Sequence, residues 1–254
     1  MYRFLLRPKW VGFHLLVAVA IVTMINLGFW QLRRLDERQA FNAVVEERYD
    51  APPLPLDDLL TTSADPERIE WRPVTASGTY LVDEMILIAN RSQGGRAGLN
   101  VVTPVRLDDD RILLVNRGFV PLELLETGAG PGVPAREVEI LGRLRQSQEK
   151  RLGQLADPVE GDLEIAQRID IDRLSPQLPG EVLSMYVDLI ESTPPELDGL
   201  PEPVRAPGLG EGNHLSYAVQ WFIFSTAVAV GWALAVRRSI KTHRREQQLA
   251  APGS

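Results

Sequence analysis

From Trp10 to Leu32 and again from Leu215 to Val236 the chain carries no Asp, Glu, Lys or Arg, whereas the long middle is polar with short apolar runs. The two uncharged runs are about 23 and 22 residues long, and about 20 residues of helix cross the hydrocarbon core of a bilayer. Two membrane-spanning helices are therefore expected at the chain ends. A cleavable signal would have a shorter apolar region and a small-x-small exit, but the first run closes on Leu27-Gly28-Phe29-Trp30-Gln31-Leu32, so a retained anchor is expected. Trp10 and Trp30 near the ends of the first run, with Trp221 and Trp232 in the second, suit the membrane interfaces.

Gln31 to Tyr49 has few helix breakers, and Leu32, Leu35, Phe41, Val44 and Val45 fall roughly on one side. It reads as a helix prolonging the first span, ended by Pro52, Pro53 and Pro55. The next section reads as strands: Val74 to Tyr80, Met85 to Arg91, Val101 to Leu107, Arg111 to Arg117 and Glu137 to Arg145. Gly94 to Gly98 and Asp108 to Asp110 are the turns between them, which suggests an antiparallel meander. Ile165 to Ile171 and Val182 to Ile190 are further strand candidates. Pro194 to Pro207 is rich in proline and is followed by Gly208, Gly210 and Gly212, a connector that is stiff and then flexible. The expected organisation is residues 1–9, a first span 10–32, a domain 33–192, a connector 193–213, a second span 214–236 and a tail 237–254. The fold class is α+β: a mainly antiparallel β domain with a few helices, flanked by two transmembrane helices.

Charge sharpens the topology. Arg3, Arg7 and Lys9 give the first thirty residues about +3, and the tail with Arg237, Arg238, Lys241, Arg244 and Arg245 carries about +4, leaving about −14 for the middle. Basic flanks favour the cytoplasm, so both termini are expected there and the central domain outside. An acidic domain would repel phosphate backbones, so no nucleic-acid partner is expected. The absence of cysteine excludes disulfides, thiolate catalysis and iron–sulfur clusters. Three Lys against twenty-four Arg suggest a GC-rich bacterial genome, hence the bacterial inner membrane.

The usual catalytic patterns are missing. Gly94-Gly95-Arg96-Ala97-Gly98 lacks the Lys-Ser/Thr and helix of a phosphate loop, and Asp108 to Asp110 lacks the alternating ligands of a calcium loop. No histidine lies between His14 and His214, so a Ser–His–Asp site or a polyhistidine metal site has no place in the middle, and no enzyme is expected. His243 sits in the basic tail. His14 lies within the first span and His214 at the mouth of the second, about 20 Å or more apart by helical rise, too far to share one metal. Two readings of His214 stand. It could cap the helix beside Asn213, with the following aromatics forming a membrane belt. Alternatively, a neutral imidazole there could offer a nitrogen to haem iron. Tyr217 and Trp221 would then line the macrocycle and Arg33 and Arg34 meet its propionates. Asn116 and Arg117, after an apolar run, read as a turn fixed by polar side chains.

At these residues the chain resembles the Surfeit-locus family of cytochrome c oxidase assembly factors. The resemblance is carried by Leu27-Gly28-Phe29-Trp30-Gln31-Leu32-Arg33-Arg34, Gly78-Thr79-Tyr80, Thr103-Pro104, Val115-Asn116-Arg117-Gly118-Phe119-Val120-Pro121 and Asn213-His214-Leu215-Ser216-Tyr217-Ala218-Val219-Gln220-Trp221-Phe222. These occur in family order over nearly the whole chain. Phe119 stands where the family often has Trp, a lysine common beyond the first arginine motif is absent, and Glu149 to Asp172 matches no part of the pattern. The resemblance implies help in maturing haem-copper oxidase by handling haem a for its catalytic subunit, with His214 as the haem contact. It leaves open a second role, a stably bound accessory or scaffold subunit of the oxidase or respiratory supercomplex that never touches haem. In that role Gly28, Ala227 and Gly231 would let partner helices pack closely.

Overall fold

The computed structural model describes residues 3–63, 65–126, 132–133 and 136–249. Its elements in chain order are α1 (Pro8–Tyr49), β1 (Leu54–Pro55), α2 (Leu56–Thr62), α3 (Pro66–Ile69), β2 (Pro73–Tyr80), β3 (Ile86–Gln93) and β4 (Arg96–Leu107). There follow β5 (Ile112–Pro121), α4 (Leu122–Glu126), β6 (Glu137–Gln146), β7 (Ile165–Ala166), α5 (Ile171–Leu174), β8 (Val182–Thr193) and α6 (His214–Leu249). The chain divides into a helical unit, residues 1–43 and 209–254, and a central unit, residues 44–208.

In the helical unit, α1 runs unbroken through the first apolar stretch and through the predicted extension to Tyr49. Pro52 and Pro53 beyond it disfavour helical backbone at the residues before them. α1 and α6 are both long and apolar enough to cross a membrane, and only 6% of the most apolar stretch of each is buried, unlike a core helix of a soluble fold. The two run antiparallel: Trp232 meets His14 and His214 meets Gln31. Between them stands Gly28, at which a Cβ would lie 2.7 Å from the Phe222 ring. The absent side chain is what lets that ring lie against α1, and Phe222 also packs edge-on to Phe29 at 5.5 Å.

The central unit is built on a mixed sheet of order β1-β2-β6-β8-β5-β4-β3-β7, with β4 also pairing to β2. That extra pairing, Gly78–Tyr80 with Val105–Leu107, closes β2, β6, β8, β5 and β4 into a five-stranded ring. The predicted meander holds for β3, β4 and β5, but β5 pairs in parallel with β8, as do β1 with β2 and β3 with β7. Parallel neighbours need a long crossover, here everything from Leu122 to Glu181. The strand expected over Ile165 to Ile171 shrinks to the two residues of β7, after which the chain turns into α5 at an N-cap where Asp170 accepts from the Arg173 amide. The turn expected at Gly94 to Gly98 narrows to Gly94 and Gly95, whose positive φ glycine tolerates, and β4 resumes at Arg96.

Two apolar clusters share this sheet. One gathers Tyr80, Val105, Leu113, Val115, Ile140, Leu144 and Val187 with Leu56 and Leu59 of α2. The other sets Ile86, Ile88, Val102, Ile112 and Leu114 against Leu163, Ile169 and Leu174 from the segment after β6. In the first half of β5, Ile112 and Leu114 serve one cluster and Leu113 and Val115 the other, so this part of the strand is buried on both faces and reads as an apolar run instead of alternating. β6 shows the alternation expected of a strand with one buried face.

The proline-rich stretch after β8 is bonded to the ring. Phe119 N–H donates to Glu202 O at 2.7 Å and Glu202 N–H to Phe119 O at 2.8 Å, while Arg96 grips the Glu202 carboxylate at 2.8 and 2.6 Å. These Arg96 bonds hold the Glu202 carboxyl below the usual carboxylate range. A carboxyl with a lower pKa folded than unfolded stabilises the fold above its unfolded value, about 4.3, and loses that contribution as pH falls through the folded value. Glu202→Gln should therefore melt below wild type above about pH 5 and converge with it below about pH 4. Thermal unfolding across pH 3 to 6 checks this, and parallel curves would refute it.

Candidate functional site

His214 is the first residue of α6, and its amide-bonded turn begins with Tyr217 N–H donating to Asn213 O at 3.1 Å. Its ring Nδ1 lies 2.8 Å from Gln31 Oε1 of α1. A carboxamide oxygen only accepts, so Nδ1 carries a proton, and in the neutral ring Nε2 keeps its lone pair. This is the tautomer an Nε2 metal ligand needs, with Gln31 in the orienting role that such histidines require. The Cδ2–Nε2 edge of the ring lies beside Gly212, where a Cβ would touch it at 3.4 and 3.5 Å; φ there is +71°, a conformation glycine adopts freely.

His14 has the opposite arrangement. Trp232 Nε1–H donates to His14 Nδ1 at 2.9 Å, so the His14 proton is on Nε2, and Trp10, Phe13 and Trp232 surround the ring at 5.6 to 6.0 Å. Eighteen residues of α6 separate Trp232 from His214, about 27 Å at 1.5 Å per residue. The two histidines belong to opposite ends of the helical pair.

The other residues singled out are placed as follows. Tyr217 is 48% exposed, one turn beyond His214. Trp221 is half-buried a turn further on, edge-on to Phe224 at 6.2 Å. Arg34 is bonded to Glu37 at 2.7 Å, and Arg33 is exposed. Trp10 is half-buried and Trp30 is exposed. Gln31 is the residue whose role was missed; the available signal was a carboxamide at the very end of an uncharged span. Among the described residues no group of three or more His, Cys, Asp or Glu is placed to hold a metal ion, which leaves His214 as a lone side-chain ligand candidate.

Asn116 and Arg117 are not in a turn but inside β5. Their partners come from far along the chain. Asn116 donates to Asp188 at 2.6 Å, and Asp188 also accepts from Arg145 at 2.9 Å; burial raises the Asp188 pKa against those donors. The Arg117 side chain is wholly buried, paired with Glu196 through Nε at 2.8 Å and through Nη2, which also donates to Gly132 O at 2.6 Å. Its guanidinium stands 5.4 Å from the centre of the Tyr80 ring, whose hydroxyl pKa is raised, chiefly by burial. The network is structural: it holds β5, β8 and the stretch after β8 together.

The motifs that carry these contacts match a known family over residues 18–226, the SURF1 family. This chain belongs to the SURF1 family. An uncharacterized SURF1-like protein of Mycobacterium tuberculosis is 31% identical over 254 residues, covering 98% of this chain and 91% of that one. A SURF1-like protein of Rickettsia felis is 25% identical over 232 residues, covering 89% and 98%, and one of Drosophila melanogaster is 28% identical over 255 residues. The SURF1 match includes Gln31, Arg117 and His214 but stops short of Trp232 and the basic tail. Family membership and two apolar helices together mark a membrane protein.

Proposed function

We propose that this chain is an assembly factor for haem-copper cytochrome c oxidase, which holds haem a at His214 and presents it to the oxidase's catalytic subunit. It does so from the bacterial inner membrane, with both termini cytoplasmic and the acidic central unit outside, as the basic flanks favour. The observation that carries the reading is the His214–Gln31 hydrogen bond, which fixes the ring and leaves Nε2 as a base. The residues fit the group: a single imidazole nitrogen beside a glycine, with Tyr217 and Trp221 one and two turns on along α6. The haem iron would supply the coordination position that Nε2 fills. The chain's own part is to keep the proton on Nδ1 and to keep the ring from turning. No covalent step is assigned to it.

Purification in detergent from cells that make haem a should give a Soret band with the parent protein and none with His214→Ala at equal yield. Gln31→Leu should weaken haem retention by about 10–100-fold, the usual cost of removing a ligand's orienting partner. Equal spectra for parent and His214→Ala, or no haem in either, would sink the proposal.

A second reading, an accessory or scaffold subunit without haem contact, is favoured by the exposed face of α6. Val219, Ile223, Ala227, Val230 and Leu234 border a shallow apolar groove of about 740 Å³, and Ala227 and Gly231 would let another helix come close. Stoichiometric recovery with purified oxidase, together with a haem-free spectrum, would select it.

A further inference from the structure

The central unit contains a cavity of about 930 Å³, at the upper end of the range for small-molecule sites. Several arginines line it, and their pairing differs. Arg145 is matched by Asp188 at 2.9 Å and Glu70 at 3.3 Å, and Arg168 by Asp157 at 3.2 Å. Arg91 has no carboxylate partner among the described residues. Its Nη2 meets two neutral acceptors, Gln148 Oε1 and Gln167 O, each at a long 3.3 Å. Burial lowers the Arg91 pKa and the Arg168 charge adds to this, against the opposing pull of Tyr186 and Asp188.

The backbone aims Arg91 into this cavity. The pairing of β3 with β4 slips between Ile88 and Arg91, and Asn90 at the slip takes a φ of +58°. Such a bulge redirects the side chain that follows it. Lys150 and Arg151 line the same cavity and form no ion pair among the described residues. Glu67 and Glu149 also line it, and like Lys150 and Arg151 they are exposed and unpaired. Three cations without an ion pair thus line the cavity against two such carboxylates, and of these five side chains only Arg91 is partly buried. A phosphate suits the Arg91 guanidinium, whose planar fork can pair two of its oxygens and whose present bonds are long and to neutral acceptors.

We propose that this cleft binds a phosphate-bearing small molecule, the phosphate seated on Arg91 with Lys150 and Arg151 completing its neutralisation. The phosphate belongs either to a soluble phosphorylated compound or to a phospholipid headgroup. This site is separate from His214 and does not depend on haem binding. It also gives a role to the start of the 149–172 segment, the part that the family pattern left without one.

The test is isothermal titration calorimetry on the full chain in phospholipid-free detergent at low ionic strength, with pyrophosphate in one arm and a short-chain phosphatidylglycerol in the other. Saturable one-to-one binding of either probe is expected, about tenfold or more weaker in Arg91→Gln and weaker again in the Lys150→Ala/Arg151→Ala variant. Binding of pyrophosphate supports the soluble compound, and binding of the lipid alone supports the headgroup. The double variant alters only exposed side chains and decides the matter if Arg91→Gln does not fold. No saturable binding of either probe, or binding unchanged in the variants, overturns the proposal.

Discussion

Glu196→Ala is expected to cost about 3–5 kcal/mol of stability, the usual loss when one member of a buried ion pair is removed. The partner left behind is Arg117, whose side chain has no exposed surface. A guanidinium cannot shed its proton to escape the charge. The reverse deletion is milder in its electrostatics, because Glu196 keeps 13% of its side chain in contact with solvent and can take up a proton. The double replacement Arg117→Met/Glu196→Leu should lose less than Glu196→Ala alone, since no unpaired charge remains. Urea unfolding of the full chain in detergent, with hydrogen exchange followed on the peptide 112–121, gives both numbers. A loss under about 1 kcal/mol for Glu196→Ala would mean that Arg117 reaches water after all.

The second large effect is at Gly118, two residues after Asn116. Its φ is +133°, a conformation that costs other residues about 1–3 kcal/mol. A Cβ there would also run into the Glu202 carbonyl and come within 3.3 Å of Pro201. Overpacking against backbone costs roughly another 1–3 kcal/mol. Gly118→Ala should therefore lose about 3 kcal/mol or more and speed exchange of the Phe119 amide, the donor to Glu202. Wild-type stability in that variant would show that the stretch after β8 can shift aside at little cost.

What the sequence made legible follows from the range of each interaction. The two spans and the extension of α1 rest on local composition, and the structure has them as helices. β6 could be read because one of its faces is buried and the other is not. Ring closure could not, because β2 meets β4 through three residue pairs with no pattern of their own. Asn116 and Arg117 look like a turn when read locally, because polar residues after an apolar run usually mark one. They sit inside β5 because Asp188 and Glu196, more than seventy residues on, pair with them there. The same holds at the candidate site: His214 was visible, but Gln31 is 183 residues away and gains its meaning only when α1 and α6 pack.

The order of strands around the ring has a consequence for synthesis. β8 is the last strand made, yet it lies between β6 and β5 and bonds to both. Until residue 193 has been delivered, those two strands present bare edges to their surroundings, the kind of surface on which chains aggregate. The keystone therefore arrives just ahead of the second apolar helix. A chain truncated between Gln146 and Val182 would carry two open edges with nothing of its own to cover them, and should be held by chaperones or cleared by proteases.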